Sequence, residues 1–122
     1  MAATQLLKSD CEILLLDRKA SVGRKFLVAG DGGFNLTHSE NKLELIEKYD
    51  SEWIKQAIRQ FSNKDFIKFL RRMGIDTRVG SSGKIFPEEE IKPIHVLNAW
   101  KELLAPRVEF VLNTTFLDFD GK

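Results

Sequence analysis

Apolar residues first fall at helical spacing near the start of the chain. Ala2, Ala3, Leu6 and Leu7 lie along one helical side, and Ala and Leu favour that state. No Ser, Thr, Asp or Asn stands before them to cap the free N–H groups, so the pattern reads as a helix entered in its middle. The spacing then changes to an unbroken apolar run closed by an acid, Glu12-Ile13-Leu14-Leu15-Leu16-Asp17. Such a run predicts a strand covered on both faces, as in a parallel sheet. Helix followed by buried strand is the back half of a βαβ unit.

From Arg18 to Glu40 the closely spaced Gly23, Gly30, Gly32 and Gly33 predict a loop. Helical stripes return between Asn41 and Gly74. Leu43, Ile46 and Tyr49 form the first, and Trp53, Ile54, Ala57, Ile58 and Phe61 the second. Ser62 opens the third, with Asp65 in the capping-box position and Phe66, Ile67, Phe69, Leu70 and Met73 behind it. Gly74 is a natural stop. Thr77 to Val79 and Lys84 to Phe86 flank Gly80-Ser81-Ser82-Gly83, which predicts a hairpin. Pro93 begins another helix carrying Val96, Leu97, Trp100, Leu103 and Leu104. Val108 to Leu112 and Thr115 to Phe119 predict the last two strands. Trp53, Phe66, Phe69 and Trp100 are expected in the core.

These elements give an α/β fold: a partial Rossmann-like parallel sheet in which residues 12–17 and 108–112 are neighbours. A helical insertion precedes Thr77, and the glycine-turn hairpin follows it. Phe119-Asp120-Gly121-Lys122 looks like a strand entering a turn without its partner strand, and a bare two-stranded ribbon is marginal. Residues 1–122 therefore read as a single partial domain, cut at both ends from a longer protein. The length of 122 residues fits one domain and not two, and a 43% apolar content is that of a globular chain.

Charge narrows the function classes. Nineteen Lys and Arg nearly cancel 18 Asp and Glu, so no general pull toward nucleic acid or anionic lipid is expected. The longest apolar run, Ile13 to Leu16, is far shorter than a membrane span, and the first residues lack the pattern of a signal peptide. The expected location is the cytoplasm. A lone Cys11 excludes an internal disulfide, and His38 and His95 share no metal-ligand spacing with it. Cys11, at a strand entrance, is expected to be an inert buried thiol.

Asp17 is the first residue with a chemical reading. An acid at the end of the second strand of a dinucleotide-binding βαβ unit accepts hydrogen bonds from ribose hydroxyls. A carboxylate that merely solvates a strand end is the plainer alternative. Gly23-Arg24-Lys25 offers two cations able to meet a pyrophosphate, or simply a surface turn. Gly30-Asp31-Gly32-Gly33 permits close backbone approach to a ligand but is neither a Walker loop nor GxGxxG. Asn35, Thr37 and His38 follow it with side-chain donors and acceptors. Lys64, Lys68, Arg71 and Arg72 make a basic helix flank, most simply a solvated face.

Leu-Leu-Leu-Asp-Arg-Lys (14–19), Gly-Arg-Lys-Phe-Leu-Val-Ala-Gly-Asp-Gly-Gly-Phe-Asn-Leu-Thr-His (23–38) and Val-Gly-Ser-Ser-Gly-Lys-Ile-Phe-Pro (79–87) stand in this order along the chain. Together they resemble the bacterial NAD(P)/FAD-dependent oxidoreductase flavoproteins, the BaiN-like or aminoacetone-oxidase-like group, also called HI0933-like. The resemblance implies a portion of an FAD/NAD(P)-binding domain in a longer chain that opens with a strand and GxGxxG. It implies FAD as cofactor, with NAD(P)H a candidate electron partner and the small-molecule substrate unassigned. Asp17 would bind the ribose of the adenosine. Arg18, Arg24 and Lys25 would lie along the cofactor near its phosphates or adenine. Gly32, Gly33, Asn35 and Thr37 would approach its flavin side. Many members read Gly-Gly-Gly-Arg-Cys-Asn where this chain has Gly-Asp-Gly-Gly-Phe-Asn (30–35), so Asp31 has no assigned role and the reaction stays open. No catalytic acid, base or nucleophile is assigned. The competing expectation is an inactive remnant that does not hold FAD by itself, and a nucleic-acid or membrane module ranks last.

Overall fold

The computed structural model describes residues 2–28 and 34–119. Helix α1 (Ala2–Leu6) leads into β1 (Ile13–Asp17), as the change from helical to unbroken apolar spacing predicts. Strand β5 (Val108–Leu112) lies parallel beside β1, in register from Ile13 opposite Val108 to Asp17 opposite Leu112. The expected pairing of the two runs is therefore met. Helix α6 (Pro93–Leu104) covers one face of this pair, with Pro93 in its first turn, where a missing N–H costs nothing.

Among the described residues only one face is covered. Ile13 and Val108 are buried with Leu104, while Ala3, Leu7, Leu15, Trp100 and Phe110 pack around them. Leu14 and Leu16 point the other way and remain 51% and 44% exposed, which corrects the expectation of a strand buried on both sides. Alternate side chains of a strand face opposite sides, and among the described residues only the α6 side has a cover. The strand expected over Thr115 to Phe119 is also absent. Asn113 takes φ 54° and turns the chain out of β5. Thr114 N–H still donates to the Asp17 carbonyl, but from Thr115 to Phe119 no ladder forms, and Leu117 and Phe119 are open to solvent.

The segment read as loop carries two short elements, α2 (Arg24–Val28) and β2 (Thr37–His38). Strand β2 adds an edge to the expected hairpin of β3 (Thr77–Val79) and β4 (Lys84–Pro87), giving an antiparallel sheet in the order β2-β4-β3. His38 is held in this sheet rather than in a free loop. Its Nε2–H donates to the Ser82 carbonyl at 3.1 Å, and its Nδ1 accepts the Glu40 N–H at 3.3 Å.

Three helices fill the insertion, α3 (Lys42–Glu47), α4 (Glu52–Gln60) and α5 (Asn63–Arg72), where the stripes place them. At the start of α5 the Ser62 hydroxyl accepts the Asp65 N–H, and the Asp65 carboxylate accepts the Ser62 N–H at 3.0 Å. The Ser62 hydroxyl also donates to that carboxylate at 2.6 Å, and these bonds hold the Asp65 carboxyl below its usual range. At the other end Gly74, with φ 75°, donates to the Arg71 carbonyl and Ile75 N–H to that of Leu70, a Schellman stop. Ser62→Ala is expected to cost about 1 kcal/mol in urea unfolding, the ordinary worth of such a cap. Because the Asp65 pKa is lowered by folding, the carboxylate's share is present above the unfolded carboxyl range and is lost as acid protonates it. The Ser62→Ala deficit should accordingly shrink toward low pH.

Helix α4 departs from expectation. None of its residues is buried, and Trp53 is 80% exposed rather than in the core. Its apolar stripe borders an open groove shared with Leu45 and Tyr49 rather than a closed core. The other three aromatic residues expected inside do pack together, half-buried: Trp100 lies 5.4 Å from Phe69 and 6.3 Å from Phe66 between ring centres. They join two cores. One is the Ile13, Leu104 and Val108 cluster, and the other is Leu70, Ile75 and Val96 with Phe26, Phe34, Leu36 and Phe66 around them. Helix α6 serves both, giving Val96 to one and Leu104 to the other.

Candidate functional site

The carboxyl end of β1 is where a parallel strand pair leaves unpaired backbone and room for a ligand. Asp17 is the last residue of β1, half-buried, and its position is set by the β5 register and by the Thr114 N–H bond to its carbonyl. One carboxylate oxygen, Oδ1, accepts the Lys19 N–H at 2.9 Å and closes a tight turn. That bond uses one acceptor position of a group with several, so the carboxylate keeps capacity for further donors.

Beside Asp17 is a cleft of about 290 Å³. Leu15 and Phe110 of the sheet form its floor, Trp100 and Leu97 of α6 one wall, and Phe26 of α2 another. Its chemistry is an apolar, partly aromatic slot with a carboxylate at one end and Lys101 nearby, suited to a flat ring joined to a polyhydroxyl group. Gly23 belongs to this wall for a steric reason. With φ 73° and a Cβ position only 2.6 Å from Leu97 Cδ1, it allows α2 to start directly against α6.

The residues singled out in the sequence separate into three groups. Asp17 and Gly23 line the cleft, Arg18 follows Asp17 directly, and Arg24 and Lys25 open α2 with their side chains in solvent. Asn35 is exposed, and Thr37 lines a different groove, between β2 and helices α3 to α5. Gly32 and Gly33, with Gly30 and Asp31, lie outside the described residues. Sequence reading missed Leu97, Trp100, Lys101 and Phe110, which reach the cleft from far along the chain. For Leu97 and Trp100 the one signal was the apolar stripe of α6, which a core role explains equally well; Phe110 lies in the apolar run of β5, and nothing local marked Lys101. Cys11 is exposed just before β1, contrary to the expectation of a buried thiol; the turn that precedes the strand lies on the surface. No helix among the described residues is long and apolar enough to cross a membrane.

Residues 1–121 match the family model described as the HI0933-like protein Rossmann domain. The chain is similar to a 3-dehydro-bile acid delta(4,6)-reductase of Clostridium scindens, at 26% identity over 66% of this chain and 20% of that protein. It is also similar to a ribosomal RNA dihydrouridine synthase of Haemophilus influenzae, at 28% identity over 75% of this chain and 23% of that protein. The chain thus spans about a fifth of the length of these two relatives.

Proposed function

This chain belongs to the HI0933-like Rossmann-domain family, and from that premise we propose that it supplies part of the FAD site of a flavin-dependent oxidoreductase. The observation that carries the reading is Asp17, a half-buried carboxylate at the carboxyl end of a parallel strand, beside an aromatic slot. The fit is to the adenosine end of the cofactor. A ribose diol would donate to the Asp17 carboxylate, and the adenine would lie against Phe26, Trp100 or Phe110. Arg18, Arg24 and Lys25 stand on the solvent side, where diphosphate would pass. Gly32, Gly33, Asn35 and Thr37 would serve the flavin side.

When bound, the flavin would supply hydride and electron chemistry; the residues here bind and orient it. The names of the two relatives, a reductase and a synthase of a dihydro product, both denote reduction. Their substrates differ so widely in size that what transfers is the redox class, not a substrate. NAD(P)H is the electron donor we propose for that class.

The test is the fluorescence anisotropy of FAD titrated with the folded chain. Saturable binding competed by ADP, with riboflavin bound far more weakly, is the expected result. If FAD does not bind while circular dichroism shows a folded chain, the reading gives way to its alternative, a portion that does not hold the cofactor by itself.

A further inference from the structure

A second cavity, about 510 Å³, opens between α1, the end of α4, α5 and α6, and shares no lining residue with the Asp17 cleft. Its lining has two characters. Leu7, Phe69, Met73 and Leu103 give it an apolar floor, while Lys8, Lys68 and Arg72 bring cations to it. The helix period explains the arrangement on α5. Lys68 and Arg72 are four residues apart, as are Phe69 and Met73, so a basic row runs alongside an apolar one on a single face. Lys8 arrives from the residues after α1, and α1 is fixed against α6 by the Trp100 Nε1–H bond to Thr4 Oγ1 at 2.9 Å.

Among the described residues Lys8, Lys68 and Arg72 form no ion pair, whereas the neighbouring Arg71 lies 3.7 Å from Asp76. The one carboxylate in the lining, Asp65, accepts both the N–H and the hydroxyl of Ser62 as part of the helix cap. Three exposed cations therefore stand over an apolar floor with a single acid, Asp65, among them, so the lining carries net positive charge. A solvated basic flank would not need a cavity beneath it, and an apolar packing groove would not need three cations around it. We propose that this cavity binds an amphipathic organic carboxylate, its head held by Lys68, Arg72 and Lys8 and its apolar body on Leu7, Phe69, Met73 and Leu103. The volume is within the range of small-ligand sites, and an Arg fork suits a carboxylate head.

The experiment is a titration of the isotope-labelled full chain with decanoate, followed by amide chemical shifts. Decanol, which has the tail without the charge, and acetate, which has the head without the tail, are titrated in parallel. Expected are saturable shifts at Lys8, at Lys68 to Met73 and at Leu103. Decanol and acetate should each bind about tenfold more weakly or less, and the Lys68→Gln/Arg72→Gln double variant should lose about tenfold in decanoate affinity. Both substitutions are on exposed positions and leave the apolar floor intact, so an unchanged circular dichroism spectrum accompanies the loss. Equal binding of decanol and decanoate would overturn the proposal in favour of a merely greasy crevice. No saturable shifts with decanoate would overturn it in favour of a solvated helix face. Shifts confined to the Asp17 cleft would overturn it as well.

Discussion

Leu70→Ala is expected to lower the unfolding free energy by about 3–4 kcal/mol, the ordinary cost of emptying a fully buried leucine site. Leu70 is 0% exposed and, with Val96, is among the most deeply buried large side chains of the described residues. It packs with Ile75 and Val96, so it is the point at which α5, the Schellman turn and α6 meet. The loss would be a large share of the roughly 5–15 kcal/mol that holds a typical domain. It should be larger in effect here because the buried cluster that Leu70 anchors is small, with Ile75 and Val96 as its other buried members. The measurement is the urea midpoint by far-ultraviolet circular dichroism, with Leu43→Ala as the control. Leu43 is 73% exposed, and its truncation should stay within about 0.5 kcal/mol. Equal midpoint shifts for the two variants would show that the Leu70 cluster does not organise the fold.

What the sequence made legible was local. The unbroken run from Ile13 to Leu16, the Ser62 and Asp65 box, Gly74 and the Gly80 to Gly83 turn each announce themselves within a few residues, and each is found where expected. What it hid depends on neighbours distant in the chain. Leu14 and Trp53 have the composition of core positions, but exposure is decided by whether another element covers them, and periodicity does not carry that information. Strand β2 is two residues long and exists only because β4 offers it an edge. Gly23 was read for its turn and its neighbouring cations, while its φ of 73° and the approach of Leu97 from far along the chain together favour a glycine there. The candidate site divides along the same line. Asp17 is visible because a strand end is a local event, whereas the aromatic slot beside it is assembled from α2, α6 and β5.

Asp17→Asn is expected to weaken FAD binding by about tenfold to a hundredfold while leaving stability nearly unchanged. The two effects should separate because, on the proposed reading, the carboxylate would have two tasks. Its Oδ1 accepts the Lys19 N–H and closes the turn after β1, and an amide oxygen does the same. Two ribose hydroxyls, however, both donate, and an amide presents only one accepting oxygen and no charge. The loss of charge-assisted bonds, each worth about 1.5–3 kcal/mol, accounts for the expected change in affinity. Asp17→Ala removes the turn bond too and should lower the urea midpoint as well as the affinity. Anisotropy titrations of FAD with both variants, paired with their unfolding curves, separate a ligand-binding acid from a strand-terminating one. If the Asp17→Asn variant binds FAD as the unaltered chain does, while Asp17→Ala loses binding together with stability, the carboxylate serves the turn alone. The cofactor's ribose must then be held elsewhere.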